Sequence, residues 1–328
     1  MMTSAVLGAI AFGCALLIGF AAHRASLCNV RAVAEIVRAK NPQMLLSLLQ
    51  AVLWMAALTG VLVLLFDLTP QAVSQRMPIA WALAGGLVFG VGAGVNGGCS
   101  LSTLHRLADG NLGMLATLVA FVAGVWIWFS LMNAGVMTGL TPVPSVWLRW
   151  PQLVPWLLSV LLVWAATRVV SFWRLARVKR EQSLHRVLLA PTYHLSVASA
   201  LLGLSGGLLY ATQGAWSYTN YLRSEVVHIS GGTMAPTLWH GVLVSGLLAG
   251  MAVSAIQRRS MKWHAPGRLA AWLRNAGGGL LMGIGAAIIP GGNDTLLLNG
   301  LPTLTAAAVG TYGCMLLGIG ATILVLRG

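Results

Sequence analysis

Two cysteines and the polar residues around them have the types and spacing that suit chemistry. Cys28 lies in Arg24-Ala-Ser26-Leu-Cys28-Asn-Val-Arg31, with Glu35 one turn further on. Cys99 lies in Asn96-Gly97-Gly98-Cys99-Ser100-Leu-Ser102-Thr103, followed by Arg106. If Ser26 caps a short helix running to about Val37, then Arg24 and Cys28 become neighbours, and Cys28, Arg31 and Glu35 share a face. Three-four spacing puts Cys99, Ser102, Thr103 and Arg106 on one face of a second short helix. A thiol at the mouth of a half-helix, with that helix's positive N-terminal end behind it, suits a soft anion. An arginine near a thiol favours a thiolate or a bound anion. Plainer readings stand beside these. Ser100, Ser102 or Thr103 can cap the helix, Arg24 and Arg31 can be snorkelling interfacial anchors, and Arg106 can pair with Asp109.

The remaining candidates are weaker. Cys14 and Cys314 sit among Gly, Leu and Met and read as small buried hydrophobes. The four cysteines have no C-x-x-C spacing, so neither a zinc site nor a disulfide scaffold is expected, and no metal or cofactor is implied. His23 and His105 read as satisfied interfacial histidines rather than proton carriers. Pro290-Gly291-Gly292-Asn293-Asp294-Thr295 puts a carboxylate at apparent membrane depth, a functional hypothesis by default. Capping of the half-helix that follows explains Asp294 more simply. Ser217-Tyr218-Thr219-Asn220-Tyr221, after Trp216, reads equally as a packed turn and as a source of hydroxyl and aromatic contacts.

Composition sets the frame that must hold these residues. Apolar residues form 58% of the 328-residue chain and charged residues 8%. That excludes a soluble domain and fits a polytopic α-helical membrane protein. The net charge of +14 could suggest nucleic acid, but the basic residues gather in short inter-helix loops, which is an orientation signal. A nucleic-acid partner is therefore excluded. The first apolar stretch lacks a preceding basic residue and a small-x-small cleavage site, so it reads as a span.

Spans are expected near 4–23, 43–66, 79–96, 112–134, 154–174, 194–212, 235–256, 276–290 and 304–326. Of the 20 Lys and Arg residues, sixteen follow the odd-numbered spans and three lie on the other side, with Arg168 closing span five. This places the N-terminus outside (periplasmic) and the C-terminus in the cytoplasm of a multi-pass inner-membrane protein. The segment holding Pro142, Pro144, Trp147, Trp150, Pro151 and Trp156 reads as an external aromatic belt, with Trp164 and Trp173 at the interface or against lipid.

The halves repeat. Gly85-Gly86-Leu-Val-Phe-Gly90-Val-Gly92-Ala-Gly94 aligns with Gly278-Gly279-Leu-Leu-Met-Gly283-Ile-Gly285, and both segments end in a Gly-Gly break. Gly19–Glu35 is echoed more weakly by Gly207–Glu225, with Trp216 near the place of Cys28. The third and eighth spans are five apart, an odd number, so the second copy runs upside down. The expected architecture is all-α: about nine transmembrane helices with re-entrant half-helices in an inverted repeat. The first repeat covers 1–153, a linking span and basic loop 154–193, and the second repeat 194–328. Short, glycine-interrupted segments in matching places of two halves point to a transport site.

These motifs carry a resemblance. R-x-x-x-C-x-x-R at Arg24–Arg31, the glycine-cysteine run with H-R-L-A-D-G-N-L-G at Gly90–Gly113, and the late G-G-G-L-L-M-G-I-G-A resemble the YeeE/YedE family of membrane proteins. Within it the chain is similar to bacterial thiosulfate transporters. The resemblance implies a nine-span hourglass that moves thiosulfate inward past a relay of cysteines, whose S–H groups bond the anion without a covalent product. Carried over, Cys28 and Cys99 match two relay cysteines, and Asn293 stands where Gly291-Gly292 would precede the third. Arg24, Arg31, Gly97, Gly98, Ser100, Arg106, Gly291 and Gly292 complete the expected substrate-binding set. The asparagine leaves anion passage in place but opens the substrate to another sulfur anion or to a selenium oxyanion. A small cytosolic sulfur-carrier protein is the implied partner, docking on loops 24–42 and 258–274. The rival from another class is a membrane sulfurtransferase carrying a persulfide on Cys99, for which no Cys–His–acid set is evident.

Overall fold

A computed structural model describes residues 4–66, 75–76, 79–135, 142–143, 150–178, 190, 192–289, 291–302 and 304–327. Long apolar runs in lipid must satisfy their backbone groups internally, so they form helices. They are α1 Ser4–Ala25, α2 Asn29–Ala39, α3 Gln43–Phe66, α4 Ile79–Asn96, α5 Ser100–Ala108, α6 Gly113–Asn133, α7 Val154–Val178 and α8 Leu195–Gln213. Then come α9 Tyr218–Ile229, α10 Leu238–Gln257, α11 Leu269–Ile288, α12 Asn293–Thr295 (continued as a π-turn, Leu296–Gly300) and α13 Ala306–Arg327. Among the described residues eight segments are long and apolar enough to cross a membrane. They become nine when the bent pair α11–α12 counts as one span. The chain is a polytopic all-α membrane protein. Gln75 and Arg76 pair antiparallel with Val143 and Pro142 in a two-residue ribbon.

Glycine positions let the helices meet backbone to backbone. A Cβ at Gly90 would strike the Met315 carbonyl, and one at Gly283 would strike the Phe121 carbonyl, so α4 lies tight on α13 and α6 on α11. Helix α4 also packs on α11, α1 on α10 and on α8, and α3 on α8. In α1 and α10 the close approaches are Gly19 on Leu247 and Gly250 on Leu16. Small residues at such crossings replace the hydrophobic drive that lipid removes.

Helix α11 begins at Leu269, seven residues before the span expected from hydropathy, because Trp272, Arg274 and Asn275 extend it beyond the apolar run. Trp156 and Trp173 are exposed on α7, as an outer belt requires, whereas Trp164 packs against Trp54 with ring centroids 5.2 Å apart. Pro144 and Trp147 of the expected belt, residues 179–189 of the basic loop and Pro290 of the fourth break lie outside the described residues.

Candidate functional site

Four helix interruptions build the site. Each carries a residue of positive φ: Ser26 (50°), Gly97 (70°), Gly214 (72°) and Gly291 (120°). Three are closed by N–H groups reaching back five residues: Leu27 to Ala22, Gly98 to Ala93, and Gly291 to Ala286. Such closures satisfy carbonyls that a helix end would otherwise leave bare in the membrane. Ser26 is therefore the left-handed terminator of α1 and not the cap of α2. The N-cap of α2 is Cys28, and the N-cap of α5 is Cys99, both in extended backbone.

The two cysteines share one buried centre. Their thiols lie close enough to interact. The Cys28 sulfur also faces the Ser102 side chain and the backbone of Cys99 and Arg31. The Cys99 sulfur faces the backbone of Ser102 and Asn29, and neither cysteine side chain makes a capping hydrogen bond. The N-termini of α2 and α5 thus point their free donors at the same pair of sulfurs, where a helix dipole favours negative charge. Cys28 is 7% exposed and Cys99 1%.

Asparagine amides flank the thiols. Asn293 takes the Ser100 hydroxyl on its Oδ1, and Asn29 takes the Tyr312 hydroxyl on its Oδ1 at 2.9 Å. With both oxygens engaged, both NH2 groups remain as donors, and Nδ2 of each is buried with no partner in the protein. Buried unsatisfied donors are rare and costly, and two of them stand next to the two cysteine breaks. The Tyr218 hydroxyl lies near Ser100.

The other expected residues hold the scaffold. Arg24, 1% exposed, points its guanidinium to Ser254, Gln257 and the Ala190 carbonyl rather than to Cys28. The Phe20 and Tyr193 rings lie against the same guanidinium, and together these partners draw it away from the thiol. Arg31 has a half-exposed side chain paired with Glu35 at 2.8 Å, and only its backbone lies near Cys28. Arg106 donates to the Gly97 carbonyl, tying down the break; its expected partner Asp109 bonds to His23 and Ser260 instead. Gly98 has no room for a Cβ beside Ser102 and Arg106, and Gly291 none beside Thr295. Gly292 donates its N–H to Thr219 at 2.8 Å.

Asp294 caps a helix, but not its own. Its carboxylate takes the N–H and hydroxyl of Thr219 in the first turn of α9. Ser217, the N-cap of α9, meets the Thr295 hydroxyl at 2.5 Å. It is thus Ser217, not Trp216, that holds in α9 the capping position Cys28 holds in α2. Trp216 donates its indole N–H to the His240 carbonyl at 3.3 Å. Asn96 closes the second break with its side chain, bonding the Gly98 carbonyl and the Thr103 and Thr117 hydroxyls. Beside this centre a cavity of about 30 Å³ is lined by Ile18, Leu101, Trp216, Tyr218 and Asp294, room for a water or two.

Toward the ends of α1, α5 and α10 lies a second polar cluster. His23 bonds Ser254 at 2.9 Å and Asp109 at 3.1 Å, and the Arg258 guanidinium bonds the His23 carbonyl. Both ring nitrogens of His23 are therefore satisfied, whereas Nε2 of His105 is buried without a partner. Burial pushes the Asp109 carboxyl up, but hydrogen bonds from His23 and Ser260 and the nearby Arg258 charge outweigh it and hold it below the ordinary carboxylate range.

Sequence reasoning missed Asn29 and Tyr312. Asn29 stands next to Cys28 at the start of a half-helix, which is a usable signal. Tyr312 sits 283 residues away and carries none.

The family model described as Sulphur transport matches residues 24–321, nearly the whole chain and all four interruptions. The chain belongs to the sulphur transport family. Among its relatives are the thiosulfate transporter TsuA of Escherichia coli, 25% identical over 294 residues, covering 85% of this chain and 83% of the relative. The thiosulfate transporter TsuA of Spirochaeta thermophila is 27% identical over 254 residues, covering 69% and 71%. In this member of the sulphur transport family, the cysteine breaks and the asparagine break meet in one place.

Proposed function

We propose that this chain imports thiosulfate, or a closely related sulfur-containing anion, by passing it along donors contributed by Cys28, Cys99, Asn29 and Asn293. The observation that carries this reading is the pair of buried, unpartnered amide NH2 groups beside the paired thiols. Thiosulfate has hard oxygens and a soft terminal sulfur. Amides, backbone N–H groups and thiols together match both ends. The cavity beside the centre has room for a water or two, so passage of an anion requires the surrounding side chains or half-helices to shift. Around the Cys99 thiol stand Cys28, Ser102 and Asn29, none of them a histidine or a carboxylate, which favours passage over persulfide chemistry.

The architecture is an inverted repeat, with α1–α6 matching α8–α13. Each contact between an early and a late helix has its counterpart: α1 on α10 mirrors α8 on α3, and α4 on α13 mirrors α11 on α6. The basic end, where Arg24, Arg258 and Lys262 gather, is the cytoplasmic side of an inner-membrane protein, with the N-terminus outside. The exposed C-terminal end of α2, with Arg38 and Lys40, and the loop 258–268 on that side are the docking place for a small sulfur-carrier protein. They stand in place of the whole ranges 24–42 and 258–274, because 29–39 is helix α2 and Arg24 is buried. A dianion entering against an inside-negative potential of about 100 mV meets an opposing electrical term of about 5 kcal/mol, so import needs a coupled cation or removal of the product inside.

Uptake of radiolabelled thiosulfate into proteoliposomes tests the reading. Uptake that competes with unlabelled thiosulfate supports it. No uptake of thiosulfate, with uptake of selenite or another sulfur anion, moves the substrate to that anion.

A further inference from the structure

We propose that Arg223 forms a second anion-binding station, one helical turn from the thiol–amide centre toward the end opposite the basic cluster, where the anion docks before reaching the thiols. This rests on the reading that an anion is passed to that centre. Arg223 lies on α9 four residues beyond Thr219, about 6 Å along the helix and on the same face. Thr219 is the residue that takes Asp294 and Gly292 at the centre. The arginine is 8% exposed. Its Nη1 is buried with no partner, and its Nη2 finds only the Met234 sulfur, at 3.3 Å, a weak acceptor.

Among the described residues the ion pairs are His23–Asp109 and Arg31–Glu35, and Arg223 is in neither. Glu225 is two residues away on another side of α9, near the Tyr221 hydroxyl. Asp294 lies one turn back and is filled by Thr219. A guanidinium does not lose its proton, so this buried charge is uncompensated unless an anion joins it. A planar fork of N–H donors suits two oxygens of one oxyanion, and the thioether beside it offers a soft contact for a terminal sulfur. Ionisable groups at membrane depth are ordinarily functional.

The test compares the full-length native protein with Arg223→Met and Arg223→Lys, by thiosulfate uptake in proteoliposomes and by the melting-temperature shift that thiosulfate induces in detergent. A scaffold arginine would lower the melting temperature when replaced by methionine. A station predicts the reverse: Arg223→Met melts at or above the native temperature, because an unpaired buried charge is gone. Its KM for thiosulfate rises about tenfold or more with Vmax nearly kept, and Arg223→Lys, which keeps the charge but loses the fork, falls between. An unchanged KM in Arg223→Met overturns the station while native uptake leaves the transport reading standing. If the native protein takes up no thiosulfate, the transport reading fails. The station is then judged by the thermal shift: loss of the shift in Arg223→Met upholds it, and an equal shift in both proteins overturns it.

Discussion

Cys28 and Cys99 hold the N-cap positions of α2 and α5 and their buried sulfurs face each other, yet neither side chain makes a capping hydrogen bond. Sulfur is a weak acceptor, and a serine at either place would cap more strongly. Under the proposed handover, the cysteines at these two positions serve the anion rather than the caps. Cys28→Ser and Cys99→Ser are therefore expected to melt at or above the native temperature while thiosulfate uptake falls at least tenfold. Differential scanning fluorimetry alongside uptake separates the two effects, and a serine variant with native uptake would remove the thiols from the pathway.

The orphan amides give a second expectation. Asn29→Leu and Asn293→Leu each remove one donor to a charged ligand, worth about 1.5–3 kcal/mol, or roughly ten- to hundredfold in affinity. The KM for thiosulfate should rise by that factor in each. Native KM values in both would show that neither amide meets the anion.

Asn293→Cys restores a thiol at the position where the resemblance expects one. Relative uptake of thiosulfate over selenite should rise, because a thiol is a softer contact than an amide. The same ratio in both proteins would mean that this position does not read the anion.

Arg106 belongs to the scaffold, since its guanidinium holds the Gly97 carbonyl. Arg106→Met should lower the melting temperature and the amount of folded transporter while leaving the KM of what remains within about twofold, as expected of a residue that never meets the anion. A large KM increase with native stability would make it a ligand of the anion instead.

Asp109 predicts a pH dependence. Its carboxyl is held below the ordinary value in the folded protein, so its contribution to stability is present above about pH 4 and is lost as pH falls through the folded value. Asp109→Asn should melt lower than the native protein at neutral pH, and the gap should close below about pH 4. A gap of constant size across that range would contradict the assignment.

Much of the fold is legible in the sequence. The apolar runs, the Gly-Gly breaks and the matching glycines of α4 and α11 follow from local composition and the demands of lipid on a backbone, and all of them are written in short stretches of chain. The two cysteines stand out because each follows a polar interruption. Direction is what the sequence does not carry. Spacing alone puts Arg24 beside Cys28, yet its guanidinium is drawn to Ser254 and Gln257 of a helix more than 200 residues away. Asp294 reads as the cap of its own helix, and it caps α9. In both cases a partner brought in by tertiary packing outcompetes the nearest one in sequence, and no helical spacing encodes that choice.

If the buried thiols and amides hand a sulfur anion through the membrane, removing either thiol must slow its passage. The direct measurement is the initial rate of radiolabelled thiosulfate uptake by proteoliposomes holding the native chain, Cys28→Ala or Cys99→Ala at equal folded amounts. Saturable uptake by the native protein and a loss of at least tenfold in each alanine variant are expected. Native-rate uptake by either variant would contradict the handover.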